Sequence, residues 1–297
     1  MPSLIGIDIG GTTIKMGQFK LTGALIKKWE IPTNTEFDGM FILNDIEASL
    51  SVEVNLLDVK GIGFGVPGPV NGSTVLEAVN LGWKHLDIKE VFKQKLPHIP
   101  VTVDNDANVA ALGEALSRED AFPSMVFFTL GTGVGGGIVI DGKIVEGAHG
   151  AAGELGHMII DPKGSLCNCG QTGCLETIAS ATGVVRLACE YGLEVQTAKE
   201  VFDQAKAGDE KALKAVDEMT QALAIAMQHV AVTVDPDAFV IGGGVSKAGD
   251  FLIEKIKEKY QKMAFSDTKY VAFEQAILGN NAGMYGAFQA IKQEVMI

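Results

Sequence analysis

The sequence is short of positive charge. Its 297 residues carry 24 Lys and Arg against 37 Asp and Glu, a formal net charge of −13, and the pI is near 4.8. A surface this acidic repels phosphodiester backbones and anionic lipid, so neither nucleic acid nor a membrane is an expected partner. Blocks of like charge and low-complexity segments are absent, which excludes a charged interaction tail. The opening MPSLIGIDIGG has neither the basic flank nor the long apolar stretch of a secretion signal. The most apolar helical stretch, 222–234, is interrupted by Gln228 and His229 and is too short to span a bilayer. Cysteine is scarce too: four residues cannot frame a disulfide scaffold for a chain this long, and a reducing, cytoplasmic location is expected. The P-loop pattern G-x-x-x-x-G-K-[ST] is missing, which excludes that NTPase class by motif.

What is there is globular. The chain is 47% apolar and 21% charged, and its length suits two domains or one large α/β unit. LIGIDIGGTTIKMGQF near the start and SMVFFTLGTGVGGGIVIDGKIVEG (124–147) each run apolar strand, Gly/Thr tip, apolar strand. Two hairpins of one design suggest related halves facing each other across a cleft. Between them, 59–70 reads as a strand ending in a Gly/Pro loop, and 101–116 as a strand, an Asp/Asn cap and a helix. A 3.6-residue period predicts helices over 177–191, 197–206 and 209–234. A strand at 238–246 then runs into a glycine turn, and helices follow near 249–263 and 281–293. Strands alternating with helices indicate an α/β fold. The polar stretch 117–124 reads as a domain break. The expected division is a small α/β domain, 1–118, with the C-terminal helix 281–297 packed back on it, and a larger α/β domain, 119–280.

Five motifs offer binding chemistry. In DIGGTTIK, Gly10, Gly11, Thr12 and Thr13 present backbone N–H groups and hydroxyls suited to phosphate oxygens, and Asp8 suits a hydrated Mg²⁺; a tight hairpin that merely needs glycine has the same composition. In LGTGVGGG (130–137), Gly131, Gly133 and Gly136 match the dinucleotide pattern, but a strand follows where that fold needs a helix. A second phosphate-facing tip, Gly131 to Gly133 with Thr132 and then Gly135, Gly136 and Gly137, fits better. In VDNDANVAALGE, Asn105 and Asp106 open a helix, either as caps or as a group that takes a proton from a substrate hydroxyl. In GAAGELGHM, Glu154 and His157 stand three residues apart, suited to sugar hydroxyls or to a plain surface turn. VIGGGVS, with Gly242, Gly243 and Gly244, is a strand end that also suits a nucleoside face.

Three of the four cysteines crowd into one short window. His157, Cys167, Cys169 and Cys174 give H-x₉-C-x-C-x₄-C. One imidazole and three thiolates make a closed Cys₃His set for Zn²⁺, with no position left for water, so the metal is expected to be structural. Cys189 sits apart and is expected to be a small buried hydrophobe.

In this order DIGGTTIK, GVPGPV, NDANVAALGE, LGTGVGGG, GAAGELGH, CNCGQTGCLE and IGGGV resemble the ROK family, across nearly the whole chain. AVNLGW (78–83) is most similar to its glucokinase branch. The resemblance implies the two-domain sugar kinase/actin/Hsp70-like (ribonuclease H-like) fold with a central cleft. It implies ATP-dependent phosphorylation of glucose at the 6-hydroxyl, with domain closure excluding water. Asp106 would be the catalytic base, and Asn105, Asp106, Glu154, His157 and Glu176 the sugar site, with Asn80 nearby. Asp8, Gly10 to Thr13 and Gly131 to Gly137 would serve the phosphates and Gly242 to Gly244 the nucleoside. ATP, Mg²⁺ and structural Zn²⁺ are the implied cofactors, and a homodimer binding only sugar and nucleotide the implied assembly. A kinase for fructose, mannose or an N-acylmannosamine, and a catalytically idle sugar sensor, are the alternatives. Only seven residues precede Asp8, so the helix-turn-helix domain of the family's repressors is not expected.

Overall fold

A computed structural model of the chain describes residues 1–118 and 122–296. Two compact units emerge: Met1–Ala121 with Asp141–Ala152 and Asn280–Ile297, and Phe122–Ile140 with Gly153–Gly279. The expected break at 117–124 falls partly on 119–121, outside the described residues. Asp141–Ala152, expected in the large domain, clusters with the first unit.

In the first unit β1 (Ser3–Ile9), β2 (Thr13–Lys20), β3 (Leu25–Pro32) and β4 (Val59–Val66) are followed by a three-stranded meander. The meander is β5 (Val70–Asn71), β6 (Thr74–Ala78) and β7 (Trp83–Asp87), and β8 (Val101–Asn105) comes after it. The main sheet runs β3-β2-β1-β4-β8, antiparallel on the hairpin side and parallel from β1 through β4 to β8. Both faces are covered, which is why β1 is apolar on both faces apart from Ser3 and Asp8. Ile5, Ile7 and Ile9 pack with Ile42, Leu43, Ile46, Ile88 and Phe92 from the helices Ile42–Glu53 and Ile88–Lys95. On the other face Leu4 and Phe19 pack with Met284, Phe288 and Ile291 of the helix Ala282–Val295.

The second unit repeats the plan. β9 (Met125–Leu130) and β10 (Val134–Ile140) form the second hairpin. After β11 (Lys143–Ile144), inside the stretch that clusters with the first unit, come β12 (Ala238–Gly242) and β13 (Ala272–Gln275). The order β10-β9-β12-β13 matches β2-β1-β4-β8, with the same switch from antiparallel to parallel. Its core joins β9 and β12 to the helices Ala181–Glu190, Ala198–Lys206, Glu210–Val234 and Asp250–Met263. The helix expected over 177–191 is divided: Ser180 is extended and its hydroxyl accepts from the Gly183 N–H, so it caps a new helix. Cys189 corrects another expectation. It is exposed, on the outer side of that helix, with its thiol donating to the Val195 carbonyl. Among the described residues no helix is long and apolar enough to cross a membrane.

The helix Ala282–Val295 meets the first unit at backbone distance. A Cβ on Gly63 would stand 1.9 Å from the Ala287 carbonyl oxygen, and one on Gly286 would stand 1.5 Å from that of Val109. Helix propensity favours Ala over Gly by up to about 1 kcal/mol, and overpacking costs about 1–3 kcal/mol or more, so the clash wins. Gly286→Ala is expected to lower the urea midpoint by an amount equal to about 2 kcal/mol; an unchanged or raised midpoint contradicts this packing.

Candidate active site and metal centre

Asn105 ends β8 and Asp106 begins the helix Asp106–Leu116. Asn105 is the N-cap. Its side-chain oxygen accepts from the N–H groups of Ala107 and Asn108 at 2.9 and 3.2 Å, and its amide donates to the Gly68 carbonyl at 3.0 Å. One N–H of that amide is left for a ligand. The Asp106 carboxylate accepts from Ala107 N–H at 2.8 Å. A helix N-terminus stabilises its charge.

Gly10 to Thr13 form the β1–β2 tip. Three of its carbonyls are already bonded: Thr13 O accepts from Gly10 N, Thr12 O from Thr33 N, and Gly10 O from the Thr33 hydroxyl at 2.7 Å. At the second tip Gly133 O accepts from Gly131 N, Gly131 O from Ala181 N, and Thr132 O from the Thr182 hydroxyl at 2.9 Å. Four of these six bonds come from groups outside the tips, which leaves fewer bare acceptors there to repel an anion. Gly135, Gly136 and Gly137 continue from the second tip along β10. Gly243, at the end of β12, has φ 81°, and a Cβ there would stand 2.4 Å from the Leu130 carbonyl oxygen. So the Gly242–Gly244 turn lies against the strand that leads into the second tip. In the first unit Asn80 is exposed, its Cβ 3.7 Å from the position a Cβ on Gly11 would take.

Asp8 lies opposite Lys15 in the β1–β2 register, and a Cβ on Gly283 would stand 2.6 Å from its carboxyl carbon. Burial pushes its carboxyl above the ordinary range, with Lys15 pulling the other way. A half-buried carboxylate in the strand that leads into a Gly/Thr tip is of a kind that suits a hydrated cation.

The cysteine cluster assembles in the second unit. Donor atoms of His157, Cys167, Cys169 and Cys174 all lie within 4.8 Å of one another. The sulfurs of Cys169 and Cys174 are 3.6 Å apart, and His157 Nδ1 is 3.7 Å from the Cys167 sulfur. A tetrahedron with Zn–S bonds of about 2.3 Å has edges of about 3.8 Å, so the set is spaced for that ion. Burial, the largest cause, pushes the Cys174 thiol up to about 12; a divalent cation supplies the charge that an ionised thiolate needs there. The loop is prepared by short pairings, Ile159 with Cys174 and Leu166 with Thr172.

The same cluster reaches the polar residues. His157 Nδ1 faces the sulfurs, and its Nε2 lies 3.9 Å from a Glu154 carboxylate oxygen. The Cys167 thiol points to one Glu176 oxygen at 3.7 Å, while the other accepts from Val134 N–H at 2.9 Å. A Cβ on Gly133 would stand 2.2 Å from that second oxygen. Glu176 therefore ties the cysteine loop to the second tip. The structure brings Glu154, His157, Glu176, the three cysteines and Gly131 to Gly133 into one neighbourhood. Asp8, Gly10 to Thr13, Asn80, Asn105 and Asp106 belong to the first unit. Sequence reasoning missed Thr33 and Thr182, which tie the tips; both are remote in sequence, and no local pattern marks them.

Cys169→Ser is expected to lower bound zinc well below about one ion per chain and drop the thermal midpoint by several degrees. Metal analysis with calorimetry checks this; a fully zinc-loaded variant of unchanged midpoint contradicts the four-ligand set.

The chain matches the ROK family over residues 4–294. A glucokinase of Halalkalibacterium halodurans is 43% identical, the alignment covering 98% of this chain and 95% of that one. The crystal structure of a ROK family glucokinase from Streptomyces griseus in complex with glucose and AMPPNP superposes with a TM-score of 0.76. It is 31% identical, with 98% of this chain and 99% of that one covered. The ROK hexokinase of Thermus thermophilus gives a TM-score of 0.86 at 30% identity, covering 99% of each chain. With this agreement in motif order, fold and full-length similarity, the chain belongs to the ROK family.

Proposed function

We propose that the protein is an ATP-dependent glucokinase that transfers the γ-phosphoryl group of ATP to the 6-hydroxyl of glucose. The observation that carries the phosphoryl half is the pair of Gly/Thr tips with their carbonyls already bonded. Phosphoryl transfer needs donors around the phosphates and one acceptor beside the nucleophile. In this reading Asp106 is the acceptor: the sugar oxygen bonds to phosphorus, the bond from phosphorus to the ADP oxygen breaks, and the hydroxyl proton passes to the Asp106 carboxylate. Asn105 offers its remaining amide N–H to the sugar, and Glu154, His157 and Glu176 take other hydroxyls.

Gly10 to Thr13 and Gly131 to Gly137 hold phosphate oxygens, and Gly242 to Gly244 lie along the nucleoside. Mg²⁺, when bound with ATP, neutralises phosphate charge, and Asp8 is the residue that holds it, through water. Zinc, held by His157, Cys167, Cys169 and Cys174, takes no part in the transfer. Its ligand loop keeps His157 Nδ1 engaged, which leaves Nε2 with a proton to donate. In this reading the enzyme works in the cytoplasm, where its thiols stay reduced, as a homodimer.

Asp106→Asn is expected to keep the fold and glucose binding while losing at least ~100-fold in kcat, read in a coupled ADP assay with Mg-ATP. Near-normal turnover contradicts the base. Across a hexose panel, glucose is expected to dominate over fructose and N-acetylmannosamine. Turnover on a different sugar keeps the mechanism and discards the substrate, and silence with retained sugar binding by calorimetry supports a sensor instead.

A further inference from the structure

We propose that Asp104 is a positioning residue for phosphoryl transfer: its carboxylate, held between the Asn105 N–H and the Asn108 side chain, sets the strand-to-helix junction that carries Asn105 and Asp106. The inference rests on the kinase reading for its effect on turnover, but its geometry is independent of that reading. One Asp104 oxygen accepts from Asn105 N–H at 2.7 Å and from Asn108 Nδ2 at 3.0 Å. Asn108 is buried, 3% exposed, and its Oδ1 has no hydrogen-bond partner, so the bond to Asp104 is what orients its amide. The backbone N–H of Asn108 in turn feeds the cap formed by Asn105. One acid thus fixes both ends of the turn on which Asp106 sits.

Asp104 also opens onto a cavity of about 570 Å³ within the first unit. Thr102 of its own strand lines it. So do Lys89 from the helix Ile88–Lys95, Lys143 and Glu146 from the β11 segment, and Gln293 and Glu294 from the last helix. Burial raises the Asp104 carboxyl to about 6, with the Glu146 charge adding to the rise and the bonds from Asn108 and Asn105 opposing it. The folded carboxyl holds its proton more tightly than an unfolded one. Its contribution to stability is therefore full below pH about 4 and is lost as pH rises through about 6. Its acceptor strength falls as pH drops through the same range, and so does its grip on the junction.

The test compares Asp104→Ala, Asp104→Asn and Glu146→Gln with wild type, reading kcat and the glucose KM from pH 5 to 8.5. Hydrogen exchange at Asn105 and Asn108 is read alongside. Asp104→Ala is expected to lose about tenfold or more in kcat at pH 8 and to lose exchange protection at both amides. Asp104→Asn, which keeps an acceptor oxygen, is expected to restore kcat at pH 8 to within about threefold and to remove the group near pH 6 from the acid limb. Glu146→Gln is expected to keep kcat at pH 8 and move that limb to lower pH. If Asp104→Ala does not fold, the other two variants carry the test. An acid limb unchanged in both, or Asp104→Ala within twofold of wild type throughout, overturns the proposal. A wild type with no turnover on any hexose defeats the kinase reading instead. The exchange data then decide Asp104 by themselves, unchanged protection at Asn105 and Asn108 in Asp104→Ala overturning its role.

Discussion

The backbone-to-backbone seat of the last helix is the constraint on which the first unit depends. Gly286 lets that helix touch the carbonyl of Val109, and Gly63 lets it touch β4. Contacts this close leave no room for a sliding adjustment. The helix it clamps is the one that begins at Asp106, and the same last helix brings Gly283 against the Asp8 carboxyl. A residue expected to hold the metal and a residue expected to take the proton are therefore both fixed by one C-terminal element, far from either in sequence. Small side chains give up burial of apolar area at these positions and gain a rigid reference for the two acids.

The second unit solves its positioning problem with ligands instead of glycines. Its sugar-facing candidates lie on a segment with little regular structure, a single 3₁₀ turn at Leu155–His157 and one helical turn at Glu176–Ala179. Such a segment has few backbone bonds to hold it, and closing it costs chain entropy. Three sulfurs and one imidazole converging on one ion supply that order. Glu176 then passes it on, bonded to Val134 N–H at the root of the second tip. Removing the ion is a change in the shape of the recognition surface before it is a change in chemistry.

How much of this was legible follows from which signals are local. The two hairpins, the cap at Asn105 and the spacing of His157 with the cysteines are written in consecutive residues, and all could be read there. The meander β5-β6-β7 and the helices Ile42–Glu53 and Ile88–Lys95 went unread, because the strands are short, the first helix is weakly patterned and the second spans only eight residues, too few to establish a period. Ser180 looked like helix interior and is a cap. Cys189 looked like core and is exposed, since a thiol's apolar character says nothing about which helix face it occupies. The return of Asp141–Ala152 to the first unit is a tertiary fact that no run of residues encodes. The partners Thr33, Thr182 and Gly68 were invisible for the same reason.

The two tips show what the repeated architecture conserves and what it leaves free. Both stand at the turn out of the central strand, β1 or β9, and in both three carbonyls are bonded, one by the tip's own first N–H and two by groups outside the tip. The means differ: Thr33, at the far end of the hairpin's neighbouring strand, serves the first tip by backbone and hydroxyl, whereas Ala181 and Thr182 at a helix start serve the second. No sequence similarity links these partners, so what recurs is the electrostatic outcome. A carbonyl facing a phosphate repels it, and a carbonyl tied to a donor on the other side does not. For a loop proposed to accept several negative charges, occupying its acceptors matters as much as supplying donors. The glycines make the tip narrow enough to approach, and the remote hydroxyls make it the right sign.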